Sequence, residues 1–285
     1  MMARLSLNQW TTRHWTMDEA IEGCVREGIP AIGIWREHVQ AYGLSTTVRH
    51  LREARLRVSS LCRGGFFTAS DPAARREALA DNRRAIDEAA QLGAPCLALV
   101  VGGLPAGDRD LPGARRRVID ALAELAPYAA AAGIRLALEP LHPMYCAERA
   151  VVSTLAQALG IAESFPVEHV GVIVDTFHVW WDPDVFTQIA RAGARIASFQ
   201  VSDWLVPVPQ DLLLARGLMG DGIIDFPPLC RALIAAGYDG DIEVEIFNAD
   251  LWSRPGHEIA TAVVQRYIEH IGPWFKVTMR EAPRP

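Results

Sequence analysis

The sequence predicts a single (β/α)8 barrel, and three observations point to it. Short β-rich apolar runs alternate with longer stretches of helical period, the runs number eight, and the length of 285 residues suits a one-domain α/β barrel. In chain order the expected strands are LSLNQW, AIGIW, RVSSLC, CLALVVG, IRLALEP, VGVIVDTF, RIASFQVSD and DIEVEIF. Between them MDEAIEGCVREG, DPAARREALADNRRAIDEAAQLG and GARRRVIDALAELAPYAAAAG carry helical spacing, with Gly28, Gly93 and Gly133 placed to cap a last turn. Asp71 followed by Pro72 reads as an N-cap with proline in the first turn. No low-complexity linker divides the chain. Residues 1–275 are therefore read as the barrel, and 276–285, with the Pro-rich REAPRP, as a loose tail. One irregular stretch, from Trp204 to Pro227, holds Pro207, Pro209, Gly217, Gly220 and Gly222, and long loops inside compact domains favour function.

Half the residues are hydrophobic and 22% are charged, the balance of a soluble globular enzyme. A net charge of −6 supplies no field for a polyanion, and runs such as RREALADNRR read as solvated helix surface. No apolar run is long enough to span a membrane, and MMARLSLNQW lacks the apolar core of a secretory signal, so the expected location is cytoplasmic. The five cysteines are scattered without a C-x-x-C pair, which suggests neither a disulfide framework nor a zinc ribbon.

The chemistry is read from strand alternation. In IRLALEP, Glu139 falls opposite Leu136 and Leu138; in VGVIVD, Asp175 falls opposite Val172 and Val174. Gln200 likewise opposes Phe199, and Glu245 opposes Ile242, Val244 and Ile246. Large apolar faces meet the helices of a barrel, so all four polar residues are expected to point inward. They lie at the carboxyl ends of four successive strands, at matching depth and parity, on the face where barrel enzymes keep their catalytic groups. Carboxylates gathered there need a cation or protons to offset their repulsion. Three carboxylates and one amide oxygen suit a hard divalent ion, Mg²⁺ or Mn²⁺, better than zinc. Any one such acid is as well explained as a helix cap or half of an ion pair; the four together favour a metal. Glu243 shares the inward parity one step deeper, where a pair with Arg135 is expected.

LALEPLHP, GVIVDTFHVWW, FQVSDW, ARGLMGDGIIDF and GYDGDIEVEIF occur in this order. In these segments the chain resembles the sugar phosphate isomerase/epimerase family, the xylose isomerase-like barrels that include hydroxypyruvate isomerase, inosose dehydratase, ketose 3-epimerases and endonuclease IV. The resemblance runs from Leu5 to Ile271. It implies metal ligation by Glu139, Asp175, Gln200 and Glu245, with Glu139 and Glu245 doubling as the acid/base pair that forms and reprotonates a cis-enediolate. It also implies that His178, in D-x-x-H, bonds a substrate hydroxyl, and that Arg216 contacts the substrate end distal to the metal. His142 is open to a substrate contact or a capping role. Gln200, where the epimerases mostly carry His, leans toward the hydroxypyruvate isomerase and inosose dehydratase branches.

Trp10, Trp35, Trp180, Trp181 and Trp204 fall at or beyond strand ends, Trp10 and Trp35 being the better candidates for a pocket wall. The function expected is isomerisation or epimerisation of a small hydroxy-ketone, sugar or sugar acid. A dehydratase-like lyase and a non-catalytic sugar-binding barrel are the alternatives, and DNA repair is disfavoured by the acidic balance and scarce histidines. No Gly-rich phosphate loop beyond the generic GDG is visible in the sequence, which favours a non-phosphorylated compound. Neither nucleic acid nor membrane is expected as a partner; the expected partners are the small sugar or hydroxy-keto acid substrate and, for assembly, further copies of the chain as a homodimer or homotetramer.

Overall fold

In the computed structural model, which describes residues 2–275, all eight runs form parallel strands. They are β1 Leu5–Asn8, β2 Ala31–Trp35, β3 Arg57–Gly65, β4 Cys96–Val100, β5 Arg135–Leu138, β6 Val170–Asp175, β7 Ile196–Val201 and β8 Ile242–Val244. Each pairs with its sequence neighbours, and β1 closes on β8 through Leu5↔Ile242 and Leu7↔Val244. The barrel is therefore complete, with no free edge. The tail expected at 276–285 lies outside the described residues.

Helix ends follow local chemistry, at Asp71 as the sequence announced and at Thr16 in addition. Thr16 and Glu19 form a reciprocal capping box at the start of Met17–Glu27, and Asp71 accepts from Ala74 N at the start of Pro72–Leu92. Among the described residues no helix is long and apolar enough to cross a membrane.

Alternation sorts the strand residues as expected. Leu5, Leu7, Leu97, Leu99, Leu136, Leu138, Val172 and Val174 join the helices in the main core, each such burial contributing about 1.5–3 kcal/mol before the entropy of ordering. Cys62, Cys96, Ala98, Ala137 and Ile173 form a second, smaller cluster with Trp35, Phe247 and Trp252. These inward side chains are small, and they leave the barrel mouth to the polar groups above them.

The expected Glu243–Arg135 pair does not form. Arg135 opens β5 at its amino end, so its guanidinium leaves through the floor of the barrel to the carbonyls of Val167 and Ala194. Glu243 is fully buried and instead accepts from Asn8 Nδ2 at 2.5 Å, Ser59 Oγ at 2.7 Å and Ser60 Oγ at 2.8 Å. Parity was right, but position along the strand decided the partner.

The long stretch after β7 is ordered by one carboxylate. Asp203 accepts backbone N–H bonds from Trp204, Gly220, Gly222 and Ile224, all at 2.8–2.9 Å. A short antiparallel pair, Asp203–Trp204 with Arg216–Gly217, then aims Arg216 into the mouth.

Gly65 shows how tightly β3 and β4 are matched. Its φ is +113°, and a Cβ there would lie 1.9 Å from the Val100 carbonyl oxygen. Gly65→Ala is expected to destabilise the fold by about 2 kcal/mol or more in urea unfolding. Gly160→Ala, on an exposed helical position with nothing within 4 Å of the new Cβ, is expected to be neutral or stabilising by up to about 1 kcal/mol.

Candidate functional site

The four residues singled out from the strand pattern meet at one place. Asp175 ends β6, Gln200 lies within β7, and Glu139 and Glu245 immediately follow β5 and β8. All four are at most 6% exposed. The ladder sets Asp175, Gln200 and Glu243 side by side, so Glu245 stands one inward step further along than Gln200's own neighbour. The common depth expected from sequence is thus a stagger, as tilted barrel strands require.

Burial raises the proton affinity of every acid in this cluster. Glu139 is pushed up to about 8 by burial and by the neighbouring charge of Asp175. Glu245 is held well above the ordinary carboxylate range, first by burial and then by Glu139 and Asp175, against the pull of Arg216. Asp175 is also raised by burial, although Arg216 opposes the shift. Among the described residues the Glu139 carboxylate accepts no hydrogen bond, and it lies 3.9 Å from His178 Nε2. Glu245 Oε1 accepts from Asn8 Nδ2 at 3.1 Å.

Arg216, 3% exposed, lies among the carboxylates and not at the remote end of the cavity. Its Nη1 reaches Asp175 Oδ2 at 2.8 Å and Glu245 Oε2 at 3.2 Å. Burial works against its charge, but Asp175, Glu245 and Glu139 more than restore it.

His178 sits at the centre of this group. Ligand atoms of Glu139, Asp175 and His178 all fall within 4.8 Å of one another. The histidine's own bonding argues against coordination through Nε2. Its Nδ1 accepts from the His142 backbone N–H at 3.0 Å, and burial drives its pKa well below the usual value, so the ring is neutral with its proton on Nε2. Nε2–H is then a donor facing the Arg216 Nη2 donor at 3.1 Å, with no acceptor between them, and an oxygen placed before both would relieve that contact.

Gln200 stands beside Asp175 in the ladder. Its Oε1 is buried and has no hydrogen-bond partner among the described residues, a state that costs roughly 1–3 kcal/mol unless something meets it. A buried amide oxygen without a donor, beside three buried carboxylates, fits a hard cation.

Above the cluster opens a cavity of about 610 Å³. Glu139, His178, Arg216 and Glu245 form its floor, and Trp10, Trp35, Phe247 and Trp252 form an aromatic wall. The rings pack in sequence, with Trp10 5.2 Å from Trp35, 5.3 Å from Phe247 and 5.9 Å from Trp252. Trp180, Trp181 and Trp204 do not reach the cavity. Trp181 and Trp204 pack against the His142 ring, and Trp180 against Trp204. His142 lies outside the cavity as well, its Nδ1 accepting from Met144 N as a cap.

Asn8 escaped the sequence reading. Its Nδ2 bonds both Glu243 and Glu245, and its Oδ1 accepts from Trp35 Nε1 at 2.9 Å, so one amide joins the acids to the aromatic wall. The signal was present in LSLN, where Ser6 and Asn8 alternate with two leucines. Phe247 and Trp252, beyond β8, carry no such pattern.

The structure of protein SMc04130 from Sinorhizobium meliloti 1021 matches with a TM-score of 0.92 and 49% identity over 95% of this chain and 99% of that one. The IOLI protein, solved with a binding zinc atom, matches with a TM-score of 0.84 at 20% identity, over 96% of this chain and 99% of that one. The L-ribulose 3-epimerase of Mesorhizobium japonicum is 31% identical over 132 residues, 46% of this chain and 40% of the epimerase, so the chain matches less than half of that relative's length. The model of the xylose isomerase-like TIM barrel matches residues 21–270, and with this extent of agreement the chain belongs to that family.

Proposed function

We propose that this protein is a divalent-metal-dependent isomerase or epimerase of a small hydroxy-ketone, sugar or sugar acid. The observation that carries the reading is the unpartnered Gln200 Oε1 set beside the buried acids Glu139, Asp175 and Glu245. These four residues would hold the ion. Mg²⁺ or Mn²⁺ suits their all-oxygen donor set, whereas the IOLI relative is described with zinc. Bound there, the ion would polarise a substrate carbonyl as a Lewis acid.

The remaining chemistry falls to the side chains. Glu139, which accepts no hydrogen bond among the described residues and faces the cavity, is the base placed to remove a proton from the carbon next to the carbonyl. Glu245 serves as its counterpart, and a proton returned on the opposite face gives epimerisation, whereas one returned to the adjacent carbon gives isomerisation. His178 Nε2–H and the Arg216 guanidinium donate to a substrate oxygen, stabilising negative charge as the proton leaves. Trp10 and Trp35 pack against the carbon face of the substrate and keep water from the reactive anion. The sugar epimerase among the relatives supports this class of reaction.

Three outcomes are expected. Chelation abolishes turnover while far-UV circular dichroism stays nearly constant, and Mn²⁺ at a hundredfold over its Kd then raises stability by about 2.7 kcal/mol in thermal melts. Full activity after exhaustive chelation would remove the metal from the mechanism. Glu139→Gln and Glu245→Gln each retain weaker metal binding and lose on the order of 10²-fold or more in turnover; parent-like rates with metal bound would sink the acid/base assignment. Gln200→His shifts metal preference toward softer ions in competition titrations, and an unchanged preference would take Gln200 out of the donor set.

A further inference from the structure

The cavity holds two arginines that the mechanism above does not use. Arg63 is half-buried and lies over Trp35 at 5.7 Å and Phe66 at 4.8 Å. Arg13 lies over Trp10 at 5.1 Å and Trp252 at 4.4 Å. Both line the cavity, and neither guanidinium makes a hydrogen bond or ion pair among the described residues. Because Trp10 and Trp35 pack together at 5.2 Å, the two cations stand on neighbouring rings of one wall. Stacking fixes the plane of each guanidinium while leaving its N–H edge free.

The rim also carries Arg149, Glu148 and Asp211. Arg149 lies over Tyr145, and Asp211 acts on that same tyrosine with the opposite sign. Charge on that side is therefore balanced; on the Trp10–Trp35 side Arg63 also acts across the cavity on Glu139, and Arg13 meets no acid among the described residues.

We propose that Arg13 and Arg63 form an anion subsite, and that the substrate carries one anionic group, a carboxylate or a phosphate, at the end remote from its carbonyl. This rests on the cavity being the substrate site. The pair is not visible in the sequence, because the two arginines are 50 residues apart and are brought to one wall by the packing of Trp10 on Trp35. The carboxylates on the floor would repel an anion, so the charged end of the substrate faces the arginines and the carbonyl end faces Glu139 and Glu245. The subsite thus sets binding polarity as well as affinity.

The test compares D-fructose, its C6 acid D-fructuronate and D-fructose 6-phosphate, which differ only at the end remote from the carbonyl, by calorimetry on the Mn²⁺-loaded protein. One of the anions is expected to bind about tenfold or more tighter than fructose, and which one does so separates carboxylate from phosphate. Arg13→Gln and Arg63→Gln each remove most of that advantage without weakening fructose, and Arg63→Lys restores part of it. Equal affinities for the three ketoses, or an anion advantage that survives in the double variant, overturn the proposal. Mn²⁺ titration without sugar reads the metal centre separately, and repeating the ketose comparison on chelated protein decides the subsite even if the ion does not bind.

Discussion

Four carboxylates, Glu139, Asp175, Glu243 and Glu245, converge inside one barrel mouth, and the arrangement around them answers their mutual repulsion. At an effective dielectric near 20, two like charges 4 Å apart repel by about 4 kcal/mol, so the cluster survives only with compensation close at hand. Glu243 is met by three hydrogen-bond donors, one from β1 and two from β3. Asp175 and Glu245 share the Arg216 guanidinium. Glu139 accepts no hydrogen bond among the described residues, and burial with the charge of Asp175 lifts its pKa to about 8 against the pull of Arg216 and Arg63.

Arg216 does this from a loop, and a loop is a costly place from which to deliver a fixed charge. The cost is lowered by Asp203, which gathers four backbone N–H groups on either side of Arg216 and so fixes the segment that carries it. Asn8 works from β1, the strand beside β8, and couples the acids to Trp35. A shift of the aromatic wall is therefore felt at Glu245 through a single amide.

Much of this was legible in the chain. Period-two alternation put Glu139, Asp175, Gln200 and Glu245 on the inner face, because a strand offers its residues only two sides. Asp71 with Pro72 marked a helix start for an equally local reason. What alternation lacks is the third dimension. It set Arg135 and Glu243 on the same face but did not show that Arg135, as the first residue of its strand, exits through the floor. It gave Arg216 a place in a loop but not its direction, which Asp203 determines from outside the strand pattern. Asn8 was hidden for the opposite reason, since a single amide at a strand end resembles an ordinary cap until its partners some 235 residues away are in view.

The same accumulation of negative charge has a consequence for thiol reagents. Cys62 lines the cavity, and burial together with Glu245 and Glu139 holds its thiol well above the ordinary range, so the nucleophilic thiolate is scarce. Cys24, Cys96 and Cys230 are buried and shifted the same way, whereas Cys146 is exposed. A maleimide or iodoacetamide probe at neutral pH therefore has one accessible target, on the loop after β5, and a fluorophore attached there reports on the mouth of the barrel without alkylating its interior.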